Sequence, residues 1–507
     1  MDLPEVFLMM KKARWIFLCG TLLLTSACNI GPRYARPVTP VAPAFKEPAP
    51  PEFAEIKGWK AGEPRDNLIR GKWWEIFGDP DLNTLEEQID AANPTLAVAE
   101  AQYRGAQAQV RVSRSALYPT LTGSTSAVAS SNSSTILNAH TLSGNAVNKL
   151  LTFPEAAASW VPDLWGQVRK TVAGNVDTVQ ASAANIANVR LVLESELALD
   201  YFQLHGLDAQ KQLLDTTILA YKRALDLTVN RYNQGVASQV DVAQAQTQLQ
   251  QTTAQSTDTL VLRQEYEHAI AVLLGKPPSE FSIPVSEIKV DPPGIPFGVP
   301  SELLERRPDI AQNERLVAAA NEQIGVALTA YYPTLTLGAS GGLEGSSLLN
   351  LFTWPSRFWT VGPSISELFL DGGKRRGVTE QAQASYDVAA ANYRQTVLTA
   401  FQQVEDNIAA LRILDQESKE QAEAIRYADR SLELANNQYQ GGITAYLQVI
   451  QAQEIALSNE VTGVQLKTRR MVASVDLVQA LGGGWDASEL PSRQEAMPRN
   501  AKTAALR

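Results

Sequence analysis

The sequence predicts an α+β fold that is mostly α: two tandem repeats of long helical rods, each interrupted by a pair of strands. Three observations predict it. The same landmarks recur in the same order in two halves of the chain, the proline-free stretches are longer than a compact domain uses, and each half carries an insertion rich in Ser, Thr and Gly.

The repeat is read first. Asn93-Pro94 begins a helical run that ends in Tyr118-Pro119-Thr120-Leu121-Thr122, and Arg307-Pro308 begins one that ends in Tyr332-Pro333-Thr334-Leu335-Thr336. Arg231-Tyr232-Asn233-Gln234-Gly235 leads to Gln244-Ala245-Gln246, as Gln438-Tyr439-Gln440-Gly441-Gly442 leads to Gln451-Ala452-Gln453. Leu274-Gly275 closes the first half and Leu481-Gly482 the second. One unit of roughly 200 residues, used twice, accounts for most of the chain.

Each unit reads as helix, two strands, long helix, turn, helix. Helices are expected at about 94–117, 166–233 and 239–274, and again at about 308–330, 374–437 and 446–481; strands are expected within 119–164 and 333–370. The first long helix, of about 67 residues, spans about 100 Å at 1.5 Å per residue, and the two shorter helices placed end to end nearly match it. That arithmetic predicts a layer of parallel rods. Ile450, Leu457, Val464, Met471 and Val478 recur every seven residues, with Leu447, Val461 and Val475 at the companion position. Along the first long helix, Leu193, Leu197, Tyr201, Leu204, Leu214, Ile218, Tyr221 and Leu225 step mostly by three and four. This period near 3.5 is a coiled-coil seam.

The insertions read as strands. Val361 and Ile365 alternate with Thr360, Ser364 and Ser366, as on a strand with one apolar and one wet face. Trp160, Trp165, Phe352, Trp354, Phe358 and Trp359 cluster near the insertion ends, where an interfacial aromatic belt lies.

The ends of the chain differ from its body. Lys11, Lys12 and Arg14, an apolar run from Trp15 to Leu24, and small residues before Cys28 make residues 1–27 an export signal. Leu24-Thr25-Ser26-Ala27-Cys28 reads as a lipoprotein box, with Cys28 the lipid attachment site; Cys19 lies inside the signal, so no intrachain disulfide is expected. Residues 28–65 form a Pro-rich N-terminal arm, 66–300 the first repeat, 301–486 the second, and 487–507 a disordered tail. The formal net charge of −10 argues against a nucleic-acid partner.

Two further stretches carry a resemblance. Lys72-Trp73-Trp74-Glu75-Ile76-Phe77-Gly78-Asp79-Pro80-Asp81-Leu82 and Leu304-Glu305-Arg306-Arg307-Pro308-Asp309-Ile310, with Asp371-Gly372-Gly373, resemble the TolC-type outer-membrane factors in their lipoprotein, NodT-like branch. The resemblance covers nearly all of the chain after the signal. It implies a homotrimer with four strands per chain closing a transmembrane β-barrel, and a helical barrel in the periplasm. It also implies an equatorial belt built from residues about 66–92, 275–307 and 430–440 with the C-terminal region. Where the family has Pro before its hydrophobic pair, this chain has Glu367-Leu368-Phe369-Leu370.

No catalytic constellation emerges. His140, His205 and His268 are isolated and read as solvated or packing side chains, Gly482-Gly483-Gly484 reads as a helix cap, and Glu194 and Glu196 read as a solvated face. No cofactor or metal is expected. The candidate site is the pair of helix-turn-helix tips: Tyr232, Gly235 and Asp241 in the first unit, and Tyr439, Gly441, Gly442, Leu447 and Gln451 in the second. The glycines supply tight turns, and the tyrosines are expected to brace neighbouring tips. The resemblance puts these turns at the periplasmic gate, with Leu447 in a hydrophobic ring and Gln451 where the family often has Asp.

The resulting expectation is a passive efflux duct of a tripartite pump that exports drugs, toxic compounds or metal ions. Its partners would be outer-membrane lipid, a periplasmic adaptor and, through the adaptor, an inner-membrane transporter. The alternatives are a protein-secretion duct and a coiled-coil lipoprotein with no pore.

Overall fold

The computed structural model describes residues 30–39, 42–47, 71–131, 147–295 and 303–497; Cys28, the export signal and His140 lie outside them. In chain order the elements are α1 Pro80–Ala92, α2 Pro94–Ser115, β1 Thr120–Ser131, β2 Val147–Trp160, α3 Gln167–Asn233, α4 Gln239–Leu273, α5 Leu303–Arg306, α6 Pro308–Thr329, β3 Thr334–Gly345, α7 Leu348–Leu351, β4 Arg357–Ser366, α8 Lys374–Gln440 and α9 Tyr446–Ala480. Among the described residues, no helix is long and apolar enough to cross a membrane.

The helix boundaries follow from local chemistry. Proline stands at the first position of α1, α2 and α6, where its missing N–H is no loss. The Asn93 side chain caps α2 by accepting from the Thr95 and Leu96 amides, while its Nδ2 donates to the Leu273 carbonyl at 2.8 Å. One residue thus starts α2 and ties it to the end of α4. In the second repeat Arg307 stands at the same N-cap position without a side-chain cap, and its Nη1 donates to the Ala480 carbonyl at 2.8 Å and so joins α6 to α9. Two stacked rods result, α2 on α4 and α6 on α9.

The 67-residue α3 lies between these stacked rods, and the 67-residue α8 packs on the far side of α6 and α9. The protomer is therefore a four-rod layer: α2/α4, α3, α6/α9, α8. The antiparallel sheet has the order β1-β2-β3-β4, which is the lateral order of the rods that feed it. Among the described residues β1 and β4 each have one strand neighbour, α8 packs mainly on the α6/α9 rod, and α2/α4 packs mainly on α3, with a small contact from α4 to α9.

The register sorts the sheet into two faces. Trp359, Val361, Pro363 and Ile365 stand opposite Gly341, Ala339, Leu337 and Leu335, and beyond these lie Ala156, Ala158 and Trp160, then Leu121. The other face carries Thr120, Thr122, Ser124, Glu155, Ser159, Thr334, Thr336, Ser340, Thr360, Ser364 and Ser366. Ser124 donates to Glu155, and the Ser340 and Thr360 hydroxyls are 2.8 Å apart. A sheet with one apolar and one hydroxyl-lined face suits a wall between hydrocarbon and water. Phe358 is a departure: although expected in the aromatic belt, it falls on the polar face, opposite Gly342.

The main core is a belt around the middle of the rods. Trp73, Trp74, Phe77, Leu82 and Ile89 pack on Leu197, Tyr201, Phe202 and Leu204 of α3, together with Ile270 of α4 and Met471 and Val478 of α9. A buried charged network closes it: Arg263 donates to Asp208, Glu267 and the Ile283 carbonyl, and the His205 ring contacts Asp208 and the Ser286 carbonyl. His205 is thus a packing residue that pins the extended segment 281–288 to α3 and α4.

Four expectations need correction. Residues 430–440 are not in the belt; they are the last turns of α8, beside the tip, and the part of α8 in the belt core lies around Val404, Ile408, Leu411 and Leu414. The tail is not wholly unstructured, because Arg493 pairs with Asp177 of α3 and Ala496 is buried against Val110, Val172, Val176 and Val179. The heptad seam is tight at Met471 and Val478 but loosens at Val464, which is only half-buried. Glu194 is not on a solvated face: it is buried and accepts a 2.9 Å hydrogen bond from the Trp73 indole.

Glu194 has an unusual neighbour. Glu86 on α1 is 2 % exposed, and neither of its carboxylate oxygens has a hydrogen-bond partner among the described residues. Burial, with the nearby Glu194 charge, holds Glu86 protonated well above the usual glutamate range, and burial pushes Glu194 up to about 7. Both carboxyls keep protons in the fold that the unfolded chain has released, so stability falls as pH rises from the ordinary glutamate range through neutrality. Glu86→Gln is expected to raise the melting temperature at about pH 8 by several degrees and to flatten its decline from about pH 5. Thermal denaturation followed by circular dichroism checks this; parallel curves for variant and wild type would contradict it.

Candidate functional site at the helical tips

The two tips are built differently. In the first, α3 ends at Asn233, Gly235 takes a left-handed φ of 75°, and the Val236 and Ala237 amides donate to the Arg231 carbonyl. Ser238 and Asp241 then form a reciprocal capping box at the start of α4, with bonds of 2.9 and 3.1 Å. The Asp241 carboxylate is therefore engaged in holding its own turn. In the second tip, Gly442 takes the left-handed φ of 72° while Gly441 has ordinary helical geometry. The α9 N-cap, Ala445, supplies no side-chain bond.

The tyrosines, matched in sequence, are not matched in space. Tyr439 is 6 % exposed, whereas Tyr232 is 44 % exposed. Tyr439 packs against the Tyr446 ring at 5.1 Å in a cluster with Ala245, Val449 and Ile450. Arg231 crosses from α3 with its guanidinium 4.7 Å above the Tyr439 ring and its Nη1 donating to the Gln440 carbonyl at 3.1 Å. Tyr439 thus braces the two tips of its own chain, through its ring; its hydroxyl has no hydrogen-bond partner among the described residues. Burial pushes the Tyr446 hydroxyl up to about 12, so that side chain stays uncharged through the physiological range.

Arg231 and Tyr446 were not singled out as site residues by the sequence. The available signal was a cation four residues before a turn glycine and a second aromatic just after the other turn.

Leu447 and Gln451 lie one turn apart on α9, and both are exposed. Val236, Val240 and Ile443 are exposed around the turns as well. Above the tips, α4 and α9 flank a trough of about 900 Å³ floored by α3 and lined by Gln203, Gln210, Gln248, Gln251, Gln255 and Gln465 among others. Among the described residues no group of acidic, His or Cys side chains could hold a metal ion.

The sequence profile of the outer membrane efflux proteins matches residues 85–276 and 299–483, the two repeats just described. The chain belongs to the outer membrane efflux protein family. It is 28 % identical over 494 residues to outer membrane protein OprJ of Pseudomonas aeruginosa, covering 94 % of this chain and 97 % of that protein. It is 26 % identical over 490 residues to the toluene efflux pump outer membrane protein TtgC of Pseudomonas putida, covering 96 % and 98 %. The fold matches the outer-membrane channel OprN with a TM-score of 0.80 at 27 % identity, over 90 % of this chain and 100 % of that one. This efflux protein is an outer-membrane channel that forms an exit duct, in a family of channels rather than enzymes.

The tip cluster yields a paired test. Tyr439→Ala removes a buried ring and is expected to cost roughly 3 kcal/mol of local stability. Tyr439→Phe removes only an unpartnered hydroxyl and is expected to behave as wild type. Amide hydrogen exchange across residues 228–250 and 435–452 reads the difference; equal protection in the two variants would mean that the ring does not brace the tips.

Proposed function

We propose that the chain acts as a homotrimeric, passive exit duct of a tripartite pump. The observation that carries this reading is the unclosed layer. A sheet with an apolar face, a hydroxyl-lined face and two unpaired edges needs copies of itself to close around water, and the rods beneath share its order and its open edges. Val98 and Val112 on α2, Val261 and Val272 on α4, and Val388, Leu398 and Ile413 on α8 are exposed apolar residues on the elements that end the layer. Three copies would give twelve strands.

An inner-membrane transporter would supply the energy, linked by a periplasmic adaptor that grips the tips. The exposed Val236, Val240 and Ile443 offer that adaptor an apolar foothold, and the glutamine-rich trough offers it polar contacts. The cargo would be small molecules such as drugs or other toxic compounds, or metal ions. That agrees with the toluene named for TtgC of Pseudomonas putida.

Cys28 would carry the lipid. Gly31 packs against Gly325, one turn before the end of α6, so the chain reaches the level of the sheet within three residues of Cys28. From there the arm runs down α6 and α8, where Tyr34 bonds Glu314, Arg36 bonds Tyr393, and the Lys46 and Glu47 amides bond Glu405. Cys28→Ala is expected to abolish labelling by a radioactive fatty acid while trimers persist. A wild-type protein that takes up no label would remove the lipid anchor from the account.

Leu447 and Gln451 would form the gate, Leu447 as an apolar ring at an otherwise wet turn. Leu447→Ala is expected to raise single-channel conductance in planar bilayers several-fold. Gln451→Asp is expected to strengthen cation preference, read as a shift in reversal potential under a salt gradient. Wild-type behaviour in both variants would put the constriction elsewhere.

A further inference from the structure

We infer that the elbow after β4 is a mating surface for a second copy of the chain, with Phe369 and Leu370 packing on Tyr118 and Leu121 of the partner subunit. The inference rests on the oligomeric reading above and names the contact that joins the copies.

The chain contains a template for this contact. At the junction between the two repeats, the elbow that follows β2 packs on the elbow that precedes β3. The Trp165 ring stacks on Tyr332 at 4.9 Å, and its Nε1 donates to the Pro333 carbonyl at 2.6 Å. Tyr332-Pro333-Thr334-Leu335-Thr336 has its counterpart in Tyr118-Pro119-Thr120-Leu121-Thr122, which precedes β1. The elbow after β2 has its counterpart after β4. In the first, Asp163 accepts from the Val168 and Arg169 amides and from Arg169 Nε; in the second, Asp371 accepts from the Gly373 and Arg375 amides and from Arg375 Nε. Gly166 and Gly373 precede the two long helices in the same left-handed conformation.

The junction that the template makes between β2 and β3 is therefore half-made twice more, at the two free edges. At the position of Trp165, next to the cap glycine, the second elbow has Gly372; its large side chains come earlier, as Phe369 and Leu370 just before Asp371, and these are 89 % and 88 % exposed. At the opposite edge, Tyr118 is 65 % and Leu121 77 % exposed. Both half-sites stand on one rim of the sheet: Thr120 pairs with Ser159, Ser159 with Gly338, and Thr334 with Ser366. Antiparallel pairing of β4 with β1 of a second copy brings the rim ends together, as it does for β2 and β3. An aromatic contact of this kind removes large apolar side chains from the level where sheet gives way to helix, and fixes the register of the new strand pair.

The full-length variant Tyr118→Cys/Phe369→Cys tests this. Mild oxidation followed by complete denaturation is expected to give covalent dimer and trimer bands on non-reducing gels, whereas completely denatured wild type gives none. Trp165→Cys/Tyr332→Cys is expected to crosslink within one chain and give no ladder. Phe369→Asp is expected to reduce heat-resistant oligomer several-fold, with Phe369→Trp restoring it. Oligomers in native mass spectra without crosslinks, or with Phe369→Asp as stable as wild type, would overturn the contact and assign the elbow to lipid. A wild-type protein with no oligomer at all would overturn the closed-duct reading and this contact with it.

Discussion

A backbone amide or carbonyl left bare in hydrocarbon costs several kcal/mol, and the rest of this structure depends on that constraint. Among the described residues one chain supplies four strands and leaves β1 and β4 each with a row of unpaired groups. A sheet so arranged is stable in a membrane only when other copies complete it. The rods below have the same order and the same open sides, so whatever closes the sheet also closes the helical layer. The internal repeat makes this economical, because the junction between repeats within a chain is the pattern for the junction between chains.

Stability is distributed unevenly along the rods. The belt gathers the large aromatic side chains, the buried network around Asp208 and Arg263, and the protonated Glu86 beside Glu194. The tips have a small cluster around Tyr439 and Tyr446, one stacked arginine and a few turn hydrogen bonds. Elements that open belong to the weakly held end of a structure, in keeping with the gate proposed at the tips. Under that proposal, a rigid waist with loosely held ends would let closed and open forms differ by small rotations of the tip helices while the seams at Met471 and Val478 stay packed.

Much of this architecture was legible in the sequence because its signals are local or periodic. Proline-free length, the Asn93-Pro94 and Arg307-Pro308 starts, the turn glycines and the Val361/Ile365 alternation each act within a few residues. What was not legible depends on partners distant in the chain. Glu194 reads as one of a solvated pair until Trp73, 121 residues away, is placed against it. Tyr232 and Tyr439 occupy the same motif, yet Tyr439 alone of the two is buried, covered by Ala245, Tyr446, Val449 and Ile450 and by Arg231 crossing from α3. The tail looked featureless because its anchor, Asp177, lies 316 residues away on α3. Phe358 joins the polar face for a reason that only strand register reveals. At the tips, the sequence located the turns but not their internal bracing, such as the cap that Asp241 holds with Ser238.

The central claim is that the edges of the sheet are closed. Hydrogen–deuterium exchange of the detergent-solubilised full-length protein tests it most directly. A closed wall predicts that the amides of β1 and β4 are protected as strongly as those of β2 and β3. Rapid exchange along either edge strand, with β2 and β3 protected, would contradict the account.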